Sequence, residues 1–269
     1  MRDGVRRAFA GVIEIRCTDP RPARLVLPRP PSQMCDAEPL MRILAVSDET
    51  RTPLYNAEIL RMHASDVKLV LSCGDLPHTY LDFIASVLNR PLWFVRGNHD
   101  YDCAQEPRPP VCEGNLDNKV VKDQGLLIGG LEGSMRYKPG QAQYTDSEMW
   151  AKVVGMMPRL VLNRLVHGRA IDILVTHAPP YGIHDQPDLT HRGFRAFLRF
   201  MEWFKPAYLL HGHVHVYDSR AITTTRYLRT QVVNVYPWRI IEVDRTPVDS
   251  YAWRVRRLRE RDPQRDQRE

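Results

Sequence analysis

The sequence predicts an α/β fold with a mainly parallel core. Short apolar runs alternate with segments of helical period from Met41 onward. Several of those runs end in Asp, Asn or His. The composition, 43% hydrophobic and 26% charged over 269 residues, suits a folded globular chain with room for one large domain or two small ones. No run approaches the ~18 apolar residues of a spanning helix, so no membrane partner is expected. The five cysteines (Cys17, Cys35, Cys73, Cys103, Cys112) are scattered and odd in number. That argues against a disulfide scaffold and for a reducing, cytoplasmic setting.

Residues 1–39 stand apart, with six prolines, seven arginines and little periodicity. They offer too little apolar surface to offset ordering entropy and are expected to form a disordered extension. Arg6-Arg7-Ala8-Phe9 resembles a twin-arginine export signal. The apolar stretch after it, residues 8–13, falls short of the ~7–15 residues such a signal needs. A translation start at Met34 or Met41 would fit the ordered-looking sequence that follows.

Residues 43–46 form an apolar run ending in Ser47-Asp48. Residues 54–63 have helical spacing, with Leu54, Ala57, Leu60 and Ala64 on one face. A second run, 67–71, leads to Gly74-Asp75; a helix follows over 80–88; a third strand, 91–95, leads to Gly97-Asn98. This β-α-β-α-β order predicts the parallel core. Residues 126–128 and 171–175 are further buried-strand candidates. Residues 147–166 read as a helix that Gly155 and Pro158 should bend or divide. A helix over 191–204 and β segments over 208–210, 231–235 and 239–243 complete the pattern. Residues 254–269 are a charged tail, and no internal repeat is present.

The strand ends carry the chemistry. Asp48, Asp75, Asn98-His99-Asp100, Thr176-His177 and His211-Gly212-His213-Val214-His215 each follow an apolar run. In open α/β sheets ligands gather at the carboxyl ends of strands, so these blocks can converge on one site. Carboxylate, amide oxygen and imidazole suit borderline divalent metals such as Mn, Fe, Zn, Co or Ni. His213 and His215 alternate by two along an extended segment, which puts both side chains on one face. Each block alone is weak, because Gly-Asp and Asn-His-Asp are common in turns. Their conjunction in this order is what points to a site.

That ordered set (Asp48; Gly74-Asp75; Gly97-Asn98-His99-Asp100; His177; Gly212-His213-Val214-His215) is similar to the signature of the calcineurin-like metallophosphoesterase family. The resemblance implies a two-sheet β sandwich flanked by helices, in α/β/β/α layers, within a domain of residues 40–253. It implies two divalent metal ions, bridged by Asp75. Asp48 and His215 would bind the first metal, and Asn98, His177 and His213 the second. His99 would sit beside the leaving group and Asp100 would orient it. One departure matters: the family's first block is Asp-x-His, and here it is Asp48-Glu49-Thr50. Thr50 is a poor ligand, and Glu49 points to the opposite face if the strand continues. The first site is therefore expected to be short of a ligand, to fill after the second, and to shift preference toward Mn.

The resemblance implies hydrolysis of a phosphate monoester or diester by a metal-bound hydroxide, as a phosphatase or phosphodiesterase. Residues 179–185 are expected to form a stiff loop over the site. His184 and Arg192 in and after it, and Arg136 elsewhere, are candidate contacts to the phosphoester substrate. Cys73 reads as a core thiol. The alternative is a scaffold or binding module with a degenerate metal site, which Thr50 favours. A basic pI of about 9.1 and a net charge of +6 raise nucleic acid as a partner. Residues 1–39 carry a net +2 and residues 254–269 a net +3, leaving only +1 on the 214 residues between, so nucleic acid is not favoured.

Overall fold

The structure is a computed structural model that describes residues 40–100, 114–218 and 220–243. All of these belong to the unit Met34–Glu269. The expectations for residues 1–39 and 254–269 lie outside the described residues. In chain order the elements are β1 (Met41–Val46), a 3-10 turn (Thr52–Tyr55), α1 (Ala57–Ala64), β2 (Leu69–Ser72), α2 (His78–Leu88), β3 (Leu92–Phe94), β4 (Lys119–Asp123), β5 (Leu126–Leu131), β6 (Ser134–Met135), β7 (Gln143–Tyr144), α3 (Asp146–His167), β8 (Ile173–Thr176), α4 (Arg195–Phe204), β9 (Tyr208–His211), β10 (Thr224–Tyr227), β11 (Thr230–Asn234) and β12 (Trp238–Val243).

Two main sheets result. One has the order β12-β1-β2-β3, parallel except for β12; the other is β10-β11-β9-β8-β5-β4, with a parallel centre and antiparallel edges. The short strands β6 and β7 pair separately. The central strands are buried on both faces, which is why they read as continuous apolar runs rather than as alternating ones. Leu44, Val46 and Val70 pack under α1 and α2 with Leu60, Tyr80 and Ile84. Leu127, Leu174 and Leu209 pack under α3 and α4 with Met156, Leu160, Phe197 and Phe200. Residues one position away, such as Ile43, Leu71, Ile128, Val175 and Leu210, face the other way and are also buried. The chain is thus a mixed α/β fold of two main sheets flanked by helices, as the resemblance implied.

The helix expected over 147–166 is α3, continuous rather than divided. Pro158 lies on its exposed side, where water can take the carbonyl that proline leaves unpaired. The helix expected over 191–204 begins only at Arg195, because the chain before it closes a loop: Phe194 pairs with Pro180, and a side chain at Gly193 would meet the Pro180 carbonyl carbon at 2.4 Å. Strands β4 and β10 had no expected counterpart. They are the two edges of the larger sheet, and the charged and polar residues that protect an edge also conceal it in the sequence. Among the described residues no helix is long and apolar enough to cross a membrane.

Candidate metal centre

The parallel strands of both sheets end at one place. Asp48 follows β1, Asp75 follows β2 and Asn98 follows β3; His177 follows β8 and His213 follows β9. The two sheets are joined there by side chains. The carboxylate of Asp48 accepts the His213 N–H at 2.9 and 3.1 Å, and His177 Nε2 lies 3.3 Å from Asp75 Oδ2.

The local backbone is bent to aim these groups. Asp48, Asp75 and His213 have φ of 64°, 57° and 66°, the left-handed region that costs a non-glycine residue about 1 kcal/mol or more. Such strain persists only where surrounding structure enforces it. Glycines make the space. A side chain on Gly97 would collide with the Asp75 carboxylate and meet His177 Cε1 at 2.6 Å. One on Gly212 would collide with the Asp48 carboxylate and meet Ser47 Cβ at 2.7 Å.

Asp75, His177 and His213 bring one potential ligand atom each to within 4.8 Å of one another, and His177 and His213 are buried. The hydrogen bonds behind them fix which atoms face inward. His177 Nδ1 lies 2.8 Å from the Cys73 carbonyl, which can only accept, so Nδ1 carries a proton and the neutral ring has its lone pair on Nε2. That lone pair faces Asp75 Oδ2 and, at 3.2 Å, Asn98 Oδ1. His213 Nε2 donates to the Thr190 carbonyl at 2.7 Å, leaving Nδ1 as its acceptor atom. A ring N–H tied to a backbone carbonyl is the usual support of a metal-bound histidine. Asn98 turns its oxygen to the cluster while its Nδ2, also buried, has no partner among the described residues. Acceptors crowded together repel unless a cation or a proton lies among them. The residues therefore fit a divalent metal.

The electrostatics agree. Burial opposes charge on His177, but the Asp75 carboxylate outweighs it and raises the imidazole to about 10. Burial likewise opposes charge on Asp75, yet His177 and the His99 N–H hold it down to about 2. His213 is lowered to about 4 by burial and by its neighbour His177. A proton on His177 thus occupies the role a metal would take.

The other expected site residues divide into those near the cluster and those turned from it. His215 Nε2 lies 3.7 Å from Asp48 Oδ1, its side chain 44% exposed. The exposed His99 gives its backbone N–H to Asp75 Oδ1 at 2.9 Å. Asp100, expected to orient His99, directs its carboxylate to three backbone donors: the N–H groups of Gly97, Asp75 and Leu76 at 2.7, 3.0 and 3.1 Å. It is raised to about 6 by burial and by Asp75. In these bonds it serves as a clamp on the turns that carry Asp75 and Asn98.

The expectation that His184 reaches a phosphate meets a different arrangement. Both of its ring nitrogens are engaged, with His211 Nε2 at 3.0 Å and Thr225 Oγ1 at 2.8 Å, and burial first lowers it to about 4. Arg136 is tied to the Gln143 carbonyl and to Glu148, and Arg192 bonds to the Pro187 carbonyl while remaining exposed. Thr50 is exposed at the end of its turn. Sequence reasoning missed His191, whose ring packs 5.3 Å from that of His213 and is held by Asp188 at 3.0 Å. The Asp-x-x-His spacing was the available signal, and it is common on surfaces. Tyr236, stacked on His215, was missed as well.

The curated relative "UPF0046 protein K07C11.7" of Caenorhabditis elegans is 27% identical over 208 residues, 67% of this chain and 65% of that protein, so the chain spans about 65% of the length of that relative. One solved structure superposes with a TM-score of 0.52 at 12% identity, covering 76% of this chain and 95% of the other. Another, TT1561 of Thermus thermophilus, gives 0.49 at 14% identity, covering 73% and 89%. A zinc complex of Vps29 from Entamoeba histolytica gives 0.36 at 16% identity, covering 72% and 73%. The family model "Calcineurin-like phosphoesterase" matches residues 41–217, the span that holds every strand-end block above, and the chain belongs to that family.

Proposed function

We propose that this chain is a metal-dependent phosphoesterase acting on a phosphate monoester or diester. The observation that carries the reading is the inward convergence of acceptor atoms from Asp75, Asn98, His177 and His213, both imidazoles fixed by backbone carbonyls. These four residues would hold one divalent ion, and Asp48 and His215 would contribute to a second, for which Mn is favoured. A divalent metal bound there supplies charge to polarise a phosphoryl oxygen and a hydroxide nucleophile at neutral pH. The chain's own residues do the rest. Asp48 and Asp75 aim the site through their strained turns, Asp100 clamps the turns that carry Asp75 and Asn98, and the exposed imidazole of His99 offers a proton to the leaving oxygen. The buried free thiol of Cys73 fits a reducing, cytoplasmic setting.

A second reading, a binding module on the same fold, is favoured by Thr50, which is exposed where the family pattern has a metal-binding histidine. Assay of p-nitrophenyl phosphate and bis-p-nitrophenyl phosphate with added Mn separates the two. We expect turnover of at least one substrate, reduced about 10²-fold by His99→Ala. No hydrolysis of either would favour the binding module.

A further inference from the structure

Glu49 is a stronger metal ligand by chemistry than Thr50, which stands at the family's histidine position, yet the structure gives it another task. Resting on the phosphoesterase reading, we propose that Tyr236, braced by Glu49, is a positioning residue that fixes the ring of His215 at the incomplete half of the site. The Tyr236 and His215 rings lie parallel, 4.5 Å apart at 13°. The Tyr236 hydroxyl donates to Glu49 Oε2 at 2.6 Å, and the Arg51 guanidinium holds the same oxygen at 3.2 Å. Tyr236 is buried, and Asn234 ties it to the His215 segment. The Asn234 Oδ1 accepts the Tyr236 N–H at 2.9 Å, and its Nδ2 donates to the carbonyl of Val214, the residue before His215, at 2.8 Å.

His215 needs such support. Its side chain is 44% exposed, and the hydroxyl beside its Nδ1, from Tyr217 at 3.1 Å, belongs to a residue 83% exposed. An exposed imidazole must lose rotamer freedom to bind a metal, and a ring already seated on Tyr236 has lost it in advance. The stack leaves Nε2 directed at Asp48 Oδ1. The Tyr217 hydroxyl can donate to Nδ1 or accept from it, so it supports either tautomer of the ring. Glu49 thus acts through Tyr236, partly offsetting the histidine that Thr50 replaces.

The test uses the full chain. Calorimetric titration with Mn²⁺ should show that Tyr236→Leu weakens the weaker binding event about tenfold while the tighter event stays within about twofold. In the metal-free protein, the His215 ring resonances, assigned with His215→Gln, should move toward exposed-imidazole positions in Tyr236→Leu. They should stay near wild type in Tyr236→Phe, which keeps the stack. If the leucine variant does not fold, Tyr236→Phe and Glu49→Gln, each losing part of the brace, should weaken that event about threefold. An unchanged weaker event together with unchanged His215 resonances would overturn the proposal. If the wild type takes up only one Mn²⁺, the two-metal reading fails, and the metal-free resonances still decide the brace.

Discussion

His177 shows how much chemistry one imidazole can acquire from its place. Its Nδ1 proton is fixed by Cys73, so its Nε2 must meet Asp75 and Asn98 with either a proton or a metal. Without metal, the raised imidazole, about 10, and the lowered carboxylate, about 2, form an ion pair. The sign of each contribution follows from linkage. His177 stabilises the metal-free fold fully below its unfolded value near 6.5, and that stabilisation is lost as pH rises through about 10. Asp75 contributes above its ordinary value of 3.8 and loses that contribution as pH falls through about 2. A metal must displace the His177 proton. Metal uptake near pH 7 should therefore release about one proton, and apparent affinity should rise about tenfold per pH unit up to about pH 10. Calorimetry in buffers of different ionisation enthalpy reads this directly, and uptake without proton release would contradict it.

Among the elements, the helices hold the sheets and the turns after the strands hold the site. The start of α3 is a capping box: Thr145 Oγ1 accepts the Glu148 N–H at 3.2 Å and Glu148 Oε2 accepts the Thr145 N–H at 2.7 Å. Thr145→Ala should cost about 1 kcal/mol in urea unfolding while leaving metal affinity unchanged, since no strand-end turn is touched. Central strands and helices were legible in the sequence because burial on both faces or on one stripe leaves a periodic trace, as in residues 43–46 and 80–88. The edge strands were not, because Lys119, Lys122 and Arg226 serve solubility rather than packing. Most candidate ligands were legible because they follow a strand end beside a glycine or another polar residue, and His215 because it alternates by two with His213. Their supporting partners were not. Cys73 and Thr190 act through backbone carbonyls that any residue possesses, and Tyr236 reaches Glu49 across 187 positions. His184 looked like a loop residue open to substrate, and no local pattern marks its pairing with His211.

At the scale of the whole molecule, the two main sheets bring the ends of their parallel strands together, and the candidate metal centre lies at those ends. The first sheet supplies mainly carboxylates, the second imidazoles, and neither holds a complete set. This division explains why the complete set appears only when both sheets are formed, and it makes the two halves of the site unequal. Asp75, Asn98, His177 and His213 converge, whereas Asp48 and the half-exposed His215 stand 3.7 Å apart, and Thr50 of the first block is exposed. The measurement that bears most directly on this account is Mn²⁺ binding to the metal-stripped chain, compared with His177→Gln. A tighter event should fill first and be abolished by the substitution, followed by a weaker one. Two events of equal affinity, or a tighter event that survives His177→Gln, would contradict it.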